Sequence, residues 1–263
     1  MLNSNDNPNS INLSISGWSG SGATSLALIL TKLLDYKYLH LGGVFRFIGE
    51  QLGHSEDGIN RPKFDDYIEP IIGATADKYR DYKLLETDGV LADSDLGTFL
   101  IGKHPKVFSV FLKSSFEERA KKVVKDNRED AVSVLRARDE VNKNFYMNLH
   151  NVDVFDEDLI DRKFNLVINN SHLSLEAEVK MVLEEIIKTP HVRNNLDLAD
   201  VYELMDREVE EFSRLGKDNY RNTLIDLDKV YTPSVIIEEM SKTFPEDVAE
   251  FPPNIQKVFI SGS

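Results

Sequence analysis

The sequence predicts an α/β fold with a parallel, doubly wound sheet, and three observations predict it. Short apolar runs of strand length recur at 11–16, 106–114 and 164–169. Longer stretches rich in helix formers lie between them, so strands and helices alternate. The first strand runs into a glycine-rich turn that opens a helix, "SISGWSGSGATSLALIL" from Ser14. The chain has 263 residues, 41% of them hydrophobic, enough for one large domain or a domain with an appendage.

In order, residues 1–10 are polar, with no basic n-region and no apolar h-region, and read as a disordered lead rather than a signal peptide. Residues 11–16 alternate as a strand and 22–35 form a helix. A short strand is expected around "YKYLHL", then a turn and short helix in "GGVFRFIGEQLG", a loop in "HSEDGINRP" and a helix over 63–80. "YKLLETDGV" reads as a strand ending in a turn, and "KVFSVFLKS" as the clearest buried strand. Residues 115–148 read as two helices broken near "KDNRED". "FNLVIN" is a strand and 173–188 a helix. After Thr189 the character changes. Residues 190–263 hold five of the nine prolines, and eight basic residues against fifteen acidic, half of the chain's net charge. This acidic extension is expected to be a separable appendage: an amphipathic helix in "DLADVYELMDREVEEFSRL", a second in "SVIIEEMSKTF", then an extended tail.

Composition removes several function classes. With no cysteine there is no disulfide, thiolate zinc site or thiol nucleophile, which fits a reducing cytoplasm. No apolar run approaches the roughly 18 residues of a membrane span. A net charge of −14 argues against polymeric nucleic acid as the main partner. The six histidines show no metal-ligand spacing.

The turn from Gly17 to Thr24 has the spacing of a phosphate-binding loop, G-x-x-x-x-G-K-[ST], with Ala23 at the lysine position. Such a loop needs glycines so that backbone can turn through positive φ and approach phosphate closely. Its amides and the following helix N-terminus supply positive potential. Gly17, Gly20, Ser21, Gly22, Ala23, Thr24 and Ser25 are therefore the candidate ATP-binding residues, with Thr24 placed to ligate Mg²⁺. An ordinary Gly/Ser turn is the plainer reading; the position after the first strand favours the phosphate site. Trp18 either covers the ligand or packs on the sheet edge.

"ISGWSGSGATS" followed by "LGGVFR" resembles the start of a cytidylate kinase, in the archaeal branch whose loop also lacks the lysine. The resemblance continues through "LLETDGVLA", "VFLKSSFEERAKKV", "RARDEVNKNFYMNL" and "FNLVINNSHLSLEAEV", roughly residues 11–188. It implies a three-layer P-loop kinase fold with monophosphate-binding and lid helices. It also implies that Gly43 and Arg46 hold the acceptor monophosphate, although Leu41 stands where the family has serine. Asp88 would support Mg²⁺ from a strand end. Val90 stands where the family's D/E-G-R has arginine, and Arg61 and Lys63 are candidates to compensate. Arg119 and Arg138 match lid arginines that neutralise the transferring phosphoryl. Lys122 and Lys143 stand near two further family arginines, and the edge "VINNS" would meet the donor base.

The expected function is ATP-dependent phosphorylation of CMP, and of dCMP, with Mg²⁺. A kinase for AMP or another small acceptor is the second possibility. The third is a catalytically degenerate nucleotide binder whose acidic tail docks a protein partner.

Overall fold

A computed structural model describes residues 11–53, 69–125, 131–189 and 198–261. The polar lead, the stretch with Arg61 and Lys63, the start of the helix expected at 63, and the break near "KDNRED" lie outside them.

The centre is a five-stranded sheet: β1 (Asn12–Gly17), β2 (Lys37–His40), β3 (Val90–Asp93), β4 (Val107–Lys113) and β5 (Leu166–Asn169), in spatial order β2-β3-β1-β4-β5. β1 pairs in parallel with β3 and β4, and β4 in parallel with β5. Every residue of β1 is buried, as a strand covered on both faces requires. Leu13 and Ile15 point to a face covered by α1 (Ala23–Leu33) and α7 (Leu175–Lys188). The opposite face holds Leu96, Phe99, Phe111, Val154, Ile160 and Phe164, beside α6 (Glu157–Lys163). The rings of Phe99, Phe111 and Phe164 meet edge to face at centroid separations of 5.0–6.0 Å. Two helices, α4 (Phe116–Lys125) and α5 (Ala131–His150), follow β4.

The strand expected over "YKLLETDGV" is not there. α3 continues from Glu69 to Glu86, and its Leu84 is fully buried. A short apolar run fits the buried face of a helix as well as it fits a strand. The Asp-Gly turn, with Gly89 at φ 70, starts β3 instead of ending it. Asn12 stitches this turn to β1. Its Nδ2 donates to the carbonyls of Leu84, at 2.8 Å, and Thr87, and its Oδ1 accepts from the Val90 amide at 2.8 Å.

The chain divides into two compact units, and the division does not fall at Thr189. One unit comprises the residues up to Tyr38 and Leu84–Val230; the other comprises Leu39–Lys83 and the residues from Tyr231. Within the first unit, α8 (Leu198–Leu215) and α9 (Lys217–Asp226) lie on α1, burying Val201, Met205, Tyr220 and Leu224 in the same core as Leu13 and Leu28. Lys32 of α1 bonds Glu208 and Glu211 of α8, each at 2.7 Å. The amide of Tyr38 donates to the Lys229 carbonyl at 2.7 Å, beside an isolated parallel bridge to Val230. The acidic segment is therefore part of the core layer in this unit, not an appendage to it.

Within the second unit, α2 (Leu41–Gln51) packs on α10 (Pro233–Thr243) and α12 (Pro253–Ser261). The tail expected to be extended is helical, as α11 (Pro245–Ala249) and α12. Pro245 and Pro253 each stand at a helix start, where the missing N–H costs nothing. Phe251, Ile255 and Phe259 are buried there.

Candidate active site

The glycine loop connects β1 to α1 as expected. Gly20 and Gly22 take φ 81 and 100, the left-handed region that a side chain strains. A Cβ on Gly17 would collide with Ser21 Oγ and sit 2.7 Å from the Leu112 carbonyl, so the strand's last residue must be glycine. The amide of Ser21 closes the turn on the Trp18 carbonyl at 2.8 Å. Ser21 is buried, whereas Ala23, Thr24 and Ser25 are half-buried at the helix start. Trp18 turns away from the loop mouth. It stacks on Phe155 at 5.4 Å and donates to the Val154 carbonyl at 2.9 Å, anchoring the loop to the opposite face of the sheet.

No cation stands at position 23, but one reaches the loop from elsewhere. Lys122 Nζ donates to the Ser21 carbonyl at 3.0 Å and lies 4.0 Å from the point where a Cβ on Gly22 would be. Arg119 is the other basic residue of α4 at the loop. Its guanidinium grips Asp139 of α5 with two bonds, at 2.9 and 2.7 Å, and also donates to the Ser19 carbonyl at 2.9 Å. It is 4% exposed and lies 5.6 Å from the Trp18 ring. Arg119 thus ties the loop to α5. Asn142, one turn beyond Arg138 on α5, donates to Ser19 Oγ at 3.4 Å and to Asp95 at 3.0 Å. Arg138 is half-buried on that helix. Lys143 is paired with Asp153 at 2.9 Å.

Asp88 is not at the loop. It precedes β3, at the end of the sheet away from Gly17, is exposed, and acts instead on the Tyr36 hydroxyl. The carboxylate at the loop end of β3 is Asp93, paired in register with Ile15 two residues before Gly17. Strand alternation puts Asp93 on the same face as Leu91, the α1 face. Asp93 is 6% exposed and accepts from the Tyr38 hydroxyl at 2.7 Å. Burial and this carboxylate together hold the Tyr38 hydroxyl well above its ordinary pKa, so it stays a donor. The signal for Asp93 was present in "VLADSD", but taking 82–90 as a strand hid it.

In the second unit, Arg46 is exposed on α2 and lies 3.3 Å from His40 Nε2. A Cβ on Gly42 would stand 2.9 Å from that nitrogen and 3.7 Å from Arg46, so Gly42 clears this pair. Gly43 instead faces Pro233.

The model of the cytidylate kinase-like family matches residues 12–172. The chain belongs to the cytidylate kinase-like family. Membership places it among the nucleoside monophosphate kinases. It is 28% identical over 180 residues to a cytidylate kinase of Pyrobaculum islandicum, covering 66% of this chain and 91% of that one. A cytidylate kinase of Thermococcus kodakarensis is 27% identical over 165 residues, 61% of this chain and 79% of that one. A solved shikimate kinase from Acinetobacter baumannii in complex with shikimate aligns over 69% of this chain and 95% of that one, at 15% identity and a TM-score of 0.41, too distant to bear on the site. The family match ends before α7, so α7 to α12 lie beyond it. Val90, where the resemblance expected a departure from the family's arginine, is the first residue of β3 and is fully buried.

Proposed function

We propose that the protein transfers the γ-phosphoryl of ATP to CMP, and to dCMP, by in-line displacement. The observation that carries this reading is the loop of Gly17–Thr24 with Lys122 Nζ 3.0 Å from its Ser21 carbonyl. The amides of Gly20–Ala23 and the start of α1 bind the donor phosphates, and Lys122 supplies the charge that Ala23 lacks. Thr24 and Asp93 are hard oxygen donors at adjoining ends of α1 and β3, a set that suits Mg²⁺. They would hold the ion, which neutralises charge between the donor phosphates when bound. Arg138 reaches the transferring phosphoryl from α5, while Arg119 positions the loop and α5 through Ser19 and Asp139.

An open depression of about 520 Å³ is lined by Glu117, Glu118, Ala120, Lys121 and Lys122 of α4 with Val132, Ser171 and Leu173, and Lys122 links it to the loop. In this reading its apolar residues meet the donor base. Arg46 of α2 is the residue assigned to the acceptor phosphate in this reading.

The test is product formation from radiolabelled ATP with CMP, dCMP, UMP and AMP in turn. CMP and dCMP should be the best acceptors. Turnover of AMP without CMP reassigns the acceptor. Tight ATP binding without product from any acceptor replaces this reading with a non-catalytic one.

A further inference from the structure

Behind the loop lies a buried polar chain that the reading above does not use. Asn170, the residue after β5, is fully buried. Its Nδ2 spends both hydrogens, one on the Ser21 carbonyl at 2.7 Å and one on Glu178 Oε1 at 2.8 Å. Lys122 Nζ meets the same Ser21 carbonyl. Glu178, in the first turn of α7, is 3% exposed, and its Oε2 is buried without a hydrogen-bond partner, as is Asn170 Oδ1. A buried carboxylate with one oxygen unsatisfied is costly as an anion. Burial pushes Glu178 up to about 7, against the opposing pull of Asn170 and of the Lys122 charge.

Besides Lys122, α4 carries Glu117, Glu118, Arg119 and Lys121, of which Arg119 is held by Asp139 and Lys121 by Glu118, and α8, packed on α7, brings Asp200, Glu203, Asp206, Arg207, Glu208, Glu210, Glu211 and Arg214. The loop from Gly17 to Gly22 and β5 contain no titratable side chain. On α1 the one charged residue is Lys32, held by Glu208 and Glu211 of α8. On α7 itself Glu176 is the nearest acid in sequence and Lys180 lies over Tyr202, while His172 is in the turn before the helix. Lys122 of α4 is the charge that acts on Glu178.

We infer that Glu178 is a positioning residue for the donor-phosphate loop. Through Asn170 and the Ser21 carbonyl it sets the loop, and by gaining or losing one proton it sets how strongly the loop and Lys122 attract an anion. This rests on reading the loop as the donor site. As a neutral acid, Glu178 leaves the loop's positive potential whole. As an anion, it places a negative charge directly behind the amides and competes for Lys122. Donor affinity therefore falls as pH rises through neutrality.

The experiment uses the full chain and Glu178→Gln, a neutral isostere. Trp18, the single tryptophan, reports on the unliganded loop by fluorescence. In the parent its emission should titrate between about pH 5.5 and about pH 8.5 with a midpoint near neutrality, and this step should vanish in Glu178→Gln. Affinity for the magnesium complex of a non-hydrolysable ATP analogue should match in the two proteins at the acid end. At the alkaline end the parent should bind about tenfold more weakly, the scale of one unit charge about 12 Å away at an effective dielectric of about 20. The nucleotide's own ionisation cancels in this ratio.

If neither protein binds the analogue, the donor-site reading fails, while the Trp18 titration still decides the role of Glu178. Asn170→Ser is the second variant, needed if Glu178→Gln does not fold. It should keep a carboxyl titrating near neutrality in ¹³C NMR of glutamate-labelled protein but lose the Trp18 step. Identical Trp18 profiles in parent and variants overturn the inference.

Discussion

A chain ending at Thr189 should not fold. Truncation there removes α8 and α9, and with them Val201, Met205, Tyr220 and Leu224 from the core over α1. Burying each such side chain is worth about 1.5–3 kcal/mol, so the four together come to about 6–12 kcal/mol. That is the scale of a whole domain's stability, about 5–15 kcal/mol. The ion pairs of Lys32 with Glu208 and Glu211 go too, and these raise the Lys32 pKa in spite of its partial burial. In the second unit, α2 loses both helices against which Val44 and Ile48 are buried. Far-UV circular dichroism, thermal melting and Trp18 emission of residues 1–189 and the full chain measure the effect. Met205→Ala and Leu224→Ala in the full chain calibrate it, each expected to cost about 2–5 kcal/mol. A soluble 1–189 chain that melts cooperatively within a few degrees of the full protein would refute the reasoning and restore the separable appendage.

Asp93→Asn should lower kcat about 10²-fold or more, whereas Asp88→Asn leaves it unchanged, because about five residues of strand, some 16 Å, separate the two carboxylates; steady-state kinetics of both variants check this. Lys122→Ala should weaken ATP binding and cut kcat about 10²-fold. Ala23→Lys should not raise activity, since an ammonium already reaches the loop; a large gain in that variant would mark the loop as a remnant. Arg46→Ala should cost about 2–4 kcal/mol in kcat/KM for CMP with ATP affinity kept, read from kinetics with each substrate varied. Stability should also follow Glu178. Its folded pKa of about 7 lies above the ordinary 4.5, so its contribution is full below about pH 4.5 and lost as pH rises to about 7. Relative to Glu178→Gln, the parent should lose about 3 kcal/mol over that window in urea melts, and parallel profiles would remove the effect.

The glycine loop was legible in the sequence because its demands are local. Positive φ at Gly20 and Gly22 and the opening of a helix at Ala23 depend on residues within a few positions of each other. β1, β4 and β5 were legible for the same reason: strands buried on both faces show as continuous apolar runs. Asp88 was taken for Asp93 because the run "YKLLE" satisfies a helix and a strand alike. Which one it forms is decided by what its apolar face packs against.

The residues 190–263 mark the limit most clearly. Their prolines and acidic charge pointed to a solvated tail, yet Pro233, Pro245 and Pro253 start helices and Glu208 and Glu211 grip Lys32. Composition reports only average polarity, while burial depends on which face of each helix meets another element. The sequence by itself determined the strand, glycine turn and helix of the loop, the alternation that makes a parallel sheet, and the order of motifs that places the chain in its family. Tertiary structure alone decided that Lys122 reaches the loop at the Ser21 carbonyl, that Asp93 and not Asp88 stands at the loop end of β3, and that Glu178 lies buried behind it. Those pairings join residues about 80 to 160 positions apart. Their energies come from distance, desolvation and hydrogen-bond geometry, which exist only once the strands and helices have packed.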